Sequence, residues 1–389
     1  MSPWRYCTQC VLPDTRPGIE LLADGRCNAC HGHDRKTRAI DWAARGRALD
    51  HIFAEARARG ADYDCIVPVS GGKDSTWQVV QCLERGLKVL AVTWRTPGRT
   101  ALGQANLDNL IGLGVDHIDV SINPEVERRF TRASLIRTGS SAVPMHMAIF
   151  AVPLSLAVRL AVPLIVWGES PFMEYGGDPG ASDLRRLDHA WLARHGILQG
   201  TTADDWVGDG LTARDLAPYR LPSEAAFRTA RISSIFLGFY LPWDPMESLS
   251  VAQANGFQVR AEGPKLGLYD YADIDCDFVA VHHWFKWLKF GFTRLFDNLA
   301  LEIRNGRMTR EQAIGVIAER GDQRPGDDIA RLCEFLHLDL DQFGEIEERW
   351  RNREIWRRAN GQWRIDGFLV PDWDWAAGRG ARPPIRAAS

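Results

Sequence analysis

A six-residue segment, SGGKDS at positions 70–75, limits the folds open to this chain more than any other stretch. It follows a largely apolar run of strand length at 63–69 and precedes residues 76–83, whose apolar positions have helical spacing. Gly71 and Gly72 allow a sharp bend whose backbone N–H groups can face an anion. The N-terminus of the following helix adds partial positive charge. The segment therefore predicts a phosphate-binding turn between a strand and a helix.

The side chains of this turn carry the groups that bind phosphate. Ser70 and Ser75 supply hydroxyls, Lys73 a mobile cation, and Asp74 a carboxylate for a helix cap or a magnesium ion. The turn is not a Walker loop, because Gly-x-x-x-x-Gly-Lys-Ser/Thr does not occur here. The plainer alternative is a glycine-rich turn that carries a lysine by chance.

The SGGKDS segment resembles the pyrophosphate loop of the ATP pyrophosphatases, a superfamily that includes the asparagine, GMP and NAD synthetases and the tRNA-thiolating enzymes. The resemblance implies that ATP is cleaved to AMP and pyrophosphate, with an adenylated substrate as intermediate. It also implies ATP and Mg²⁺ as cofactors, with Lys73 and Asp74 in catalytic roles.

Length, charge and hydropathy indicate the number of domains, the type of partner and the location of the protein. The 389 residues predict two or three domains, and a net charge of -3 with a pI near 6.4 gives no global basic field for a nucleic-acid partner. The most apolar window, 148–168, is interrupted by Pro153, Arg159 and Pro163, so it predicts a buried helix and strand rather than a membrane span. No signal peptide is apparent, and we expect a cytoplasmic protein with reduced cysteines.

The N-terminal residues 1–40 contain two Cys-x-x-Cys pairs, Cys7 with Cys10 and Cys27 with Cys30. Their spacing is typical of a four-thiolate structural zinc site in a short ribbon. His31 and His33 lie close enough in sequence to replace a ligand. The alternative is a pair of unrelated dithiols or a redox pair.

Residues 41–240 show strands alternating with helices, which predicts an α/β fold with a doubly wound parallel sheet. After the strand at 63–69, the predicted strands lie at 87–94, 116–120 and 164–167, with a later one within 231–240. Ligands of such sheets bind at the carboxyl ends of the strands, where Thr93, Trp94, Gly168 and Glu169 fall. The superfamily resemblance implies an adenine site at 92–94 and Glu169 near the phosphates. Glu169 could instead be a solvated strand-end carboxylate.

Several further segments resemble the N-acetyl sugar amidotransferases, which act on acetamido sugars of bacterial surface polysaccharides, such as O-antigen. The matching segments are 5–18, 64–75, 106–110, 167–169, 174–177 and 282–291. The resemblance implies an ATP-dependent conversion of an acetamido group to an acetamidino group through an adenylated intermediate. It makes Glu174 and Tyr175 candidates for phosphate or substrate binding, and Lys265, in a predicted loop at 262–267, is a further candidate.

Residues 241–377 predict a mainly helical region, and residues 378–389 a flexible tail. A helix predicted over 279–298 places His282, Lys286 and Lys289 on one face beside His283, which suits a triphosphate or a nucleotide-activated sugar. The alternative is a solvated basic face. The acidic residues at 270, 273, 275 and 277 are interpreted as caps and solvated carboxylates. This region is expected to cover the active site or to form a homodimer surface.

The source of ammonia is a separate question. Met1-Ser2 excludes an N-terminal cysteine nucleophile, and neither Cys65 nor Cys82 lies in a Gly-x-Cys-x-Gly elbow. The resemblance therefore implies a separate glutaminase subunit. A tRNA sulfur transferase with the same adenylation chemistry, and a zinc-ribbon adaptor that binds nucleotide without turnover, remain alternatives.

Overall fold

A five-stranded parallel sheet forms the centre of the protein. The computed structural model describes residues 4–168, 174, 185, 187, 191–192 and 197–380. The strands are β1 (Cys65–Pro68), β2 (Val89–Trp94), β3 (Asp116–Val120), β4 (Leu164–Trp167) and β5 (Ser233–Phe236). They lie in the order β3-β2-β1-β4-β5, and every pairing is parallel. The strand order reverses between β1 and β4, so the ligand crevice of such a sheet lies beyond the carboxyl ends of these two strands.

The strands β1, β2 and β4 follow from nearly continuous apolar sequence. Every residue of β4 is buried, as is usual where helices cover both faces of a parallel sheet. The predicted strands 116–120 and 164–167 have the predicted bounds, and the doubly wound α/β class is confirmed. The strand within 231–240 ends at Phe236, and Leu237–Tyr240 form one helical turn, so that prediction was wrong for its second half.

Helices cover the sheet and build the C-terminal region. In chain order the α-helices of the described residues are α1 (Asn28–Arg38), α2 (Trp42–Ala58), α3 (Lys73–Glu84), α4 (Ala101–Ile111), α5 (Pro124–Thr138), α6 (Val143–Leu160), α7 (Glu224–Ala230), α8 (Leu237–Tyr240), α9 (Pro245–Ala254), α10 (Phe278–Phe290), α11 (Arg294–Arg304), α12 (Arg310–Arg320), α13 (Gly326–Leu336) and α14 (Leu340–Trp350). Two hairpins follow, β6 (Trp356–Ala359) with β7 (Gln362–Ile365), and β8 (Trp373–Asp374) with β9 (Arg379–Gly380).

Helix α6 is the one helix of the described ranges that is long and apolar enough to cross a membrane. It packs against β1, β2 and β4 instead, and more than half of its residues are buried. The predicted sequence of buried helix and buried strand over 148–168 is therefore confirmed.

The N-terminal ribbon and the C-terminal helices share one hydrophobic core. The four cysteines cluster with Leu295 and Leu299 of α11 and with the apolar side chains of α12 and α13. Arg310, at the start of α12, donates from Nε to the carbonyl oxygens of Cys7 and Cys10, at 3.3 and 3.0 Å. The ribbon is therefore built into the helical region rather than attached to it by a linker.

Two predictions for the C-terminal region were wrong. The helix predicted over 279–298 is broken at Gly291, whose φ of +71° is the left-handed conformation that ends α10. A side chain there would press on Ile355 and Ile365. The predicted tail at 378–389 begins too early, because Arg379–Gly380 pair with Trp373–Asp374; residues 381–389 lie outside the described ranges.

Candidate active site

The loop between β1 and α3 has the geometry of an anion-binding turn. Gly71 has a φ of +89°, and a Cβ there would lie 2.7 Å from the backbone nitrogen of Leu107. Only glycine therefore allows the loop to approach α4 this closely. Ser70 Oγ accepts from the Gly72 N–H at 3.2 Å, and Ser75 Oγ donates to the Gly72 carbonyl at 2.9 Å. The first N–H groups of α3 have no acceptor within the helix and are available to phosphate oxygens.

Lys73 and Asp74 form an ion pair at the start of α3. Lys73 Nζ lies 2.6 Å from Asp74 Oδ1, and the same oxygen accepts from Trp243 Nε1 at 2.9 Å. The Lys73 ammonium is buried between the rings of Trp243 and Tyr271, about 5.2 and 5.4 Å from their centroids. Asp74 lines the cavity described next. Lys73 does not line this cavity itself and is linked to it by the ion pair with Asp74.

A cavity of about 760 Å³ lies at the carboxyl ends of the strands. Ser70, Asp74 and Ser75 line it on the loop side, with Trp94 at the end of β2 and Gly168 after β4. The structure thus brings five of the predicted nucleotide-binding residues to one space. Its apolar wall comes from α6, from β4 and β5, and from Trp191; the residues are Ile149, Phe150, Pro153, Trp167, Trp191 and Phe236.

Another part of the wall of this cavity is basic. Lys286, Lys289, Arg16 and Arg294 all line it, as does the carboxylate of Asp297. Arg16 Nε lies 2.6 Å from Asp297 Oδ1, and Arg294 Nε lies 2.9 Å from Asp273 Oδ2. Two of the four cations are thus paired with the two carboxylates, which leaves net positive charge for an anion. We call these four cations the basic end of the cavity.

The two lysines of the basic end differ in their contacts. Lys289 Nζ donates to the carbonyl of Thr138 at 3.0 Å, while no hydrogen bond or ion pair joins Lys286 to another described residue. Burial lowers the pKa of each ammonium to about 8. Lys286 is therefore a cation held in a partly desolvated position and open to a substrate anion.

Both histidines of α10 line the cavity. His282 Nδ1 lies 3.2 Å from Ser140 Oγ, and its Nε2 is buried without a hydrogen-bond partner among the described residues. His283 Nε2 lies 3.6 Å from Asp273 Oδ1. Burial lowers the pKa of His282 well below 6.5 and that of His283 to about 4, so both rings are neutral at pH 7. The predicted imidazole and ammonium face of α10 therefore points into the cavity and not into solvent.

Three predicted binding residues lie elsewhere. Thr93 is buried, and its Oγ1 contacts His117 Nε2 at 2.9 Å, away from the cavity. Lys265 Nζ is bound to Asp277 and Asp328, at 2.6 and 2.8 Å.

Glu174 is also away from the cavity, because it pairs with Lys36 Nζ of α1 at 2.6 Å. Glu169 and Tyr175 lie outside the described residues. The side chains of Lys265 and Glu174 are therefore engaged in structural ion pairs away from the cavity. The adenine site predicted at the backbone of 92–94 stays a prediction, and Val92 and Trp94 line the cavity.

Sequence reasoning missed several cavity residues. Arg16 and Arg294 complete the basic end, and Asp275 lines the cavity close enough to Ser70 for a hydrogen bond. Gln78 lines it with a buried Oε1 that has no hydrogen-bond partner among the described residues, and a Cβ at Gly168 would collide with its amide. The interpretation of Asp273 as a solvated carboxylate was wrong, since it is ion-paired and buried. Arg16 lies within the matching segment 5–18, which was the available signal.

Two metal sites were expected. The Sγ atoms of Cys7, Cys10, Cys27 and Cys30 lie within 4.8 Å of one another, and the 7–30 and 10–27 separations are 3.9 and 3.7 Å. Tetrahedral zinc with bonds of about 2.3 Å requires sulfur separations of about 3.8 Å, so the cluster fits zinc. His31 instead lies 3.0 Å from Asp24, outside this cluster. Asp74 is the loop carboxylate that would hold Mg²⁺ beside a triphosphate.

Comparison with known families identifies the C-terminal region. Residues 267–367 match the family model described as "LPS biosynthesis protein WbpG-like, C-terminal domain". This match confirms the predicted resemblance to proteins of bacterial surface-polysaccharide synthesis. The matched region contains the two lysines and Arg294 of the basic end. None of the curated proteins compared with the chain matches it.

Solved structures give weaker similarities. NMN synthetase from Francisella tularensis is 10% identical, with 77% of this chain and 94% of that chain covered and a TM-score of 0.34. The predicted subunit of a tRNA methyltransferase from Methanocaldococcus jannaschii is 11% identical, with 49% and 75% covered and a TM-score of 0.27. At these scores neither structure adds to the functional argument, which depends on the cavity and on the C-terminal match.

Proposed function

We propose that the protein is an ATP-dependent N-acetyl sugar amidotransferase of lipopolysaccharide biosynthesis. It would convert the acetamido group of a nucleotide sugar to an acetamidino group. One observation carries the proposal: the phosphate loop at 70–75 and the basic end, most of it in the WbpG-like region, line the same cavity of about 760 Å³. Such a cavity can hold a triphosphate and a second anionic substrate close together.

The chemistry follows from the poor reactivity of an amide. The acetamido oxygen attacks the α-phosphorus of ATP, pyrophosphate leaves, and the amide oxygen becomes part of a good leaving group. Ammonia then attacks the amide carbon, and AMP departs with that oxygen. The loop N–H groups and Lys73 stabilise the charge that develops on the β- and γ-phosphates. Mg²⁺ at Asp74 would share that charge.

The two sides of the cavity suit the two substrates. The apolar wall at Phe150, Trp167 and Phe236 offers aromatic surface for a base or a sugar face. Lys286 and Arg294 offer charge-assisted hydrogen bonds to the phosphates of the sugar carrier. This arrangement would direct the acetamido group of the sugar toward the loop.

The ammonia donor is part of the proposal. We propose that a separate glutaminase subunit supplies ammonia, because the chain contains no recognised cysteine nucleophile motif. The purified chain should use ammonium salts far better than glutamine. Equal use of both donors by the chain alone would contradict this part of the proposal.

The direct experiment incubates the chain with ATP, Mg²⁺, ammonium and a panel of UDP-acetamido sugars. Replacement of oxygen by NH lowers the mass of the product by about one unit, and AMP should form in equal amount. Lys73→Met should lower AMP formation by about 100-fold or more, since the charge on the leaving pyrophosphate loses its cation. Formation of ADP in place of AMP would contradict the proposal.

One observation keeps a tRNA sulfur transferase as a second candidate: Cys276 lines the cavity. Burial raises its pKa to about 11, however, so it is a thiol at neutral pH and a poor sulfur carrier. A Cys276→Ala variant separates the two functions, because the amidotransferase should keep AMP formation with sugar and ammonium. If the protein were a nucleotide-binding adaptor, neither the unmodified chain nor the Cys276→Ala variant would form AMP.

A further inference from the structure

A second, much smaller cavity lies beside the main one. Its volume is about 20 Å³, which is enough for one water-sized molecule. Residues from β2, α5, α6 and α10 line it, and it shares Trp94, Thr96, Met145, Cys276 and His282 with the main cavity. A molecule held in it is therefore next to the place where the substrates meet.

Glu127 is the carboxylate among the described residues that line this small cavity. It lies on α5 with only 4% of its surface exposed, and its Oε1 accepts from Trp94 Nε1 at 2.6 Å. No described cation pairs with it. An unpaired carboxylate in this position is costly unless a cation or a proton neutralises it.

His282 gives a second and independent indication of a ligand. Its Nε2 is buried without a partner among the described residues, and the ring lines both cavities. The other ring nitrogen, Nδ1, lies 3.2 Å from Ser140 Oγ. A small polar molecule between Glu127 and His282 would satisfy both groups.

We infer that this small cavity is an ammonium site, in which Glu127 binds NH₄⁺ and removes a proton from it. The inference rests on the proposed function and assigns it a further residue. The carboxylate attracts a small cation, aromatic residues Trp94 and Phe278 line the same space, and its small volume disfavours larger amines.

The proton transfer balances with the amidation step. NH₄⁺ gives one proton to the Glu127 carboxylate and becomes NH₃, whose lone pair forms the new C–N bond. The C–O bond to AMP breaks, and its electron pair leaves with the phosphate. The amidinium keeps two of the three remaining hydrogens on the new nitrogen, and the third passes to AMP. Glu127 then releases its proton to solvent.

Burial supports this role for Glu127. Desolvation raises its pKa to about 7, above that of an ordinary glutamate, while the Trp94 hydrogen bond opposes the shift. A carboxylate with a raised pKa is a stronger base, which favours removal of a proton from ammonium near neutral pH.

The test measures two half-reactions of Glu127→Gln. The amide still accepts from Trp94 but neither carries charge nor removes a proton. ATP–pyrophosphate exchange in the presence of sugar reports adenylation, which uses no ammonium. We expect KM for ammonium to rise about tenfold or more, well beyond any change in the exchange rate. Glu125→Gln, an exposed position on the same helix, is the matched control and should change neither value.

The outcomes separate the inference from the proposed function. Unchanged KM for ammonium with exchange retained would overturn the ammonium site, as would loss of exchange in Glu127→Gln that matches the loss of amidation. Absence of exchange in the unmodified chain would instead overturn the proposed function.

A measurement on the unmodified chain tests the inference even if the Glu127→Gln variant fails to fold. Methylammonium is too large for a space of about 20 Å³, so it should replace ammonium with less than about one hundredth of the efficiency. Efficient use of methylammonium would contradict the inference.

Discussion

Gly71 occupies a backbone position that no other residue type adopts without strain. Its φ is +89°, and a Cβ would meet the backbone of α4 at Leu107. Gly71→Ala should destabilise the chain by about 1–3 kcal/mol and weaken ATP binding, because the loop must move away from α4. Gly46→Ala is the matched control: Gly46 lies within α2 with open space around it, and the change should be neutral or stabilise by up to about 1 kcal/mol. Thermal unfolding and nucleotide titration measure both effects, and equal behaviour of the two variants would contradict this account of the loop.

Lys286 should make substrate binding depend on pH. Burial lowers its pKa from 10.5 to about 8, although Asp297 nearby opposes the shift. The ammonium attracts phosphate only while protonated, so its contribution is complete well below pH 8 and is lost as pH rises through about 8. We expect KM for the nucleotide sugar to rise between about pH 7 and pH 9.

A substitution tests whether Lys286 is responsible. Lys286→Met should raise this KM about tenfold at pH 7 and reduce its change at higher pH, with Lys289 accounting for the remainder. Lys88→Met is the control, because Lys88 is exposed on the far side of the sheet from the cavity residues. The same pH profile in Lys286→Met and the unmodified chain would exclude this role.

At the residue scale, the sequence predicted the loop and the basic face of α10 but not their companions. The loop residues are adjacent in the chain, and helical spacing relates His282 to Lys286. Arg16 reaches the cavity from the ribbon, and Asp275 from the segment before α10, so only the tertiary fold brings them together. Thr93 alternates to the other face of β2 from Trp94, because successive residues of a strand point to opposite faces.

At the element scale, the N-terminal ribbon with its four cysteines is connected to the phosphate loop. Lys36 of α1 donates to the carbonyl of Trp243 at 2.6 Å, and the Trp243 indole donates to Asp74 at 2.9 Å. The ribbon also shares its core with α11 and α12. Loss of zinc should therefore affect the loop as well as the ribbon.

Chelation tests this connection. Removal of zinc, or Cys10→Ser, should lower the midpoint of thermal unfolding and weaken ATP binding, because the four buried thiols lose the ion that holds them together. Cys333→Ala is the control, since Cys333 is a buried cysteine outside the cluster and should leave about one zinc per chain. Zinc-free protein with unchanged stability would show that the cluster is not a structural metal site.

Elements were predictable where local sequence decides them. The strands β1, β2 and β4 are short apolar runs between turns, and Thr309 caps α12 by accepting from the Gln312 N–H. The break at Gly291 was not predictable, because the residues around it continue the helical pattern. Packing of Ile355 and Ile365 against the chain there favours the turn.

At the scale of the whole molecule, the sequence predicted the doubly wound sheet and the ribbon but not how the parts meet. Periodicity identifies strands and helices one at a time. The shared core of ribbon and C-terminal helices depends on contacts between residues hundreds of positions apart, such as Cys7 with Arg310. The cavity exists because residues of the C-terminal region meet the carboxyl ends of the strands, so that Lys286 and Ser70 line the same space.

The central claim is that the loop directs the α-phosphate of ATP to an amide oxygen. An acetamido nucleotide sugar labelled with ¹⁸O in its acetamido carbonyl tests it most directly, with ATP, Mg²⁺ and ammonium present. The account predicts that the label leaves the sugar and appears in AMP, about one labelled oxygen for each acetamidino group formed. Label in inorganic phosphate with ADP as the nucleotide product, or label retained in the sugar while AMP accumulates, would contradict it.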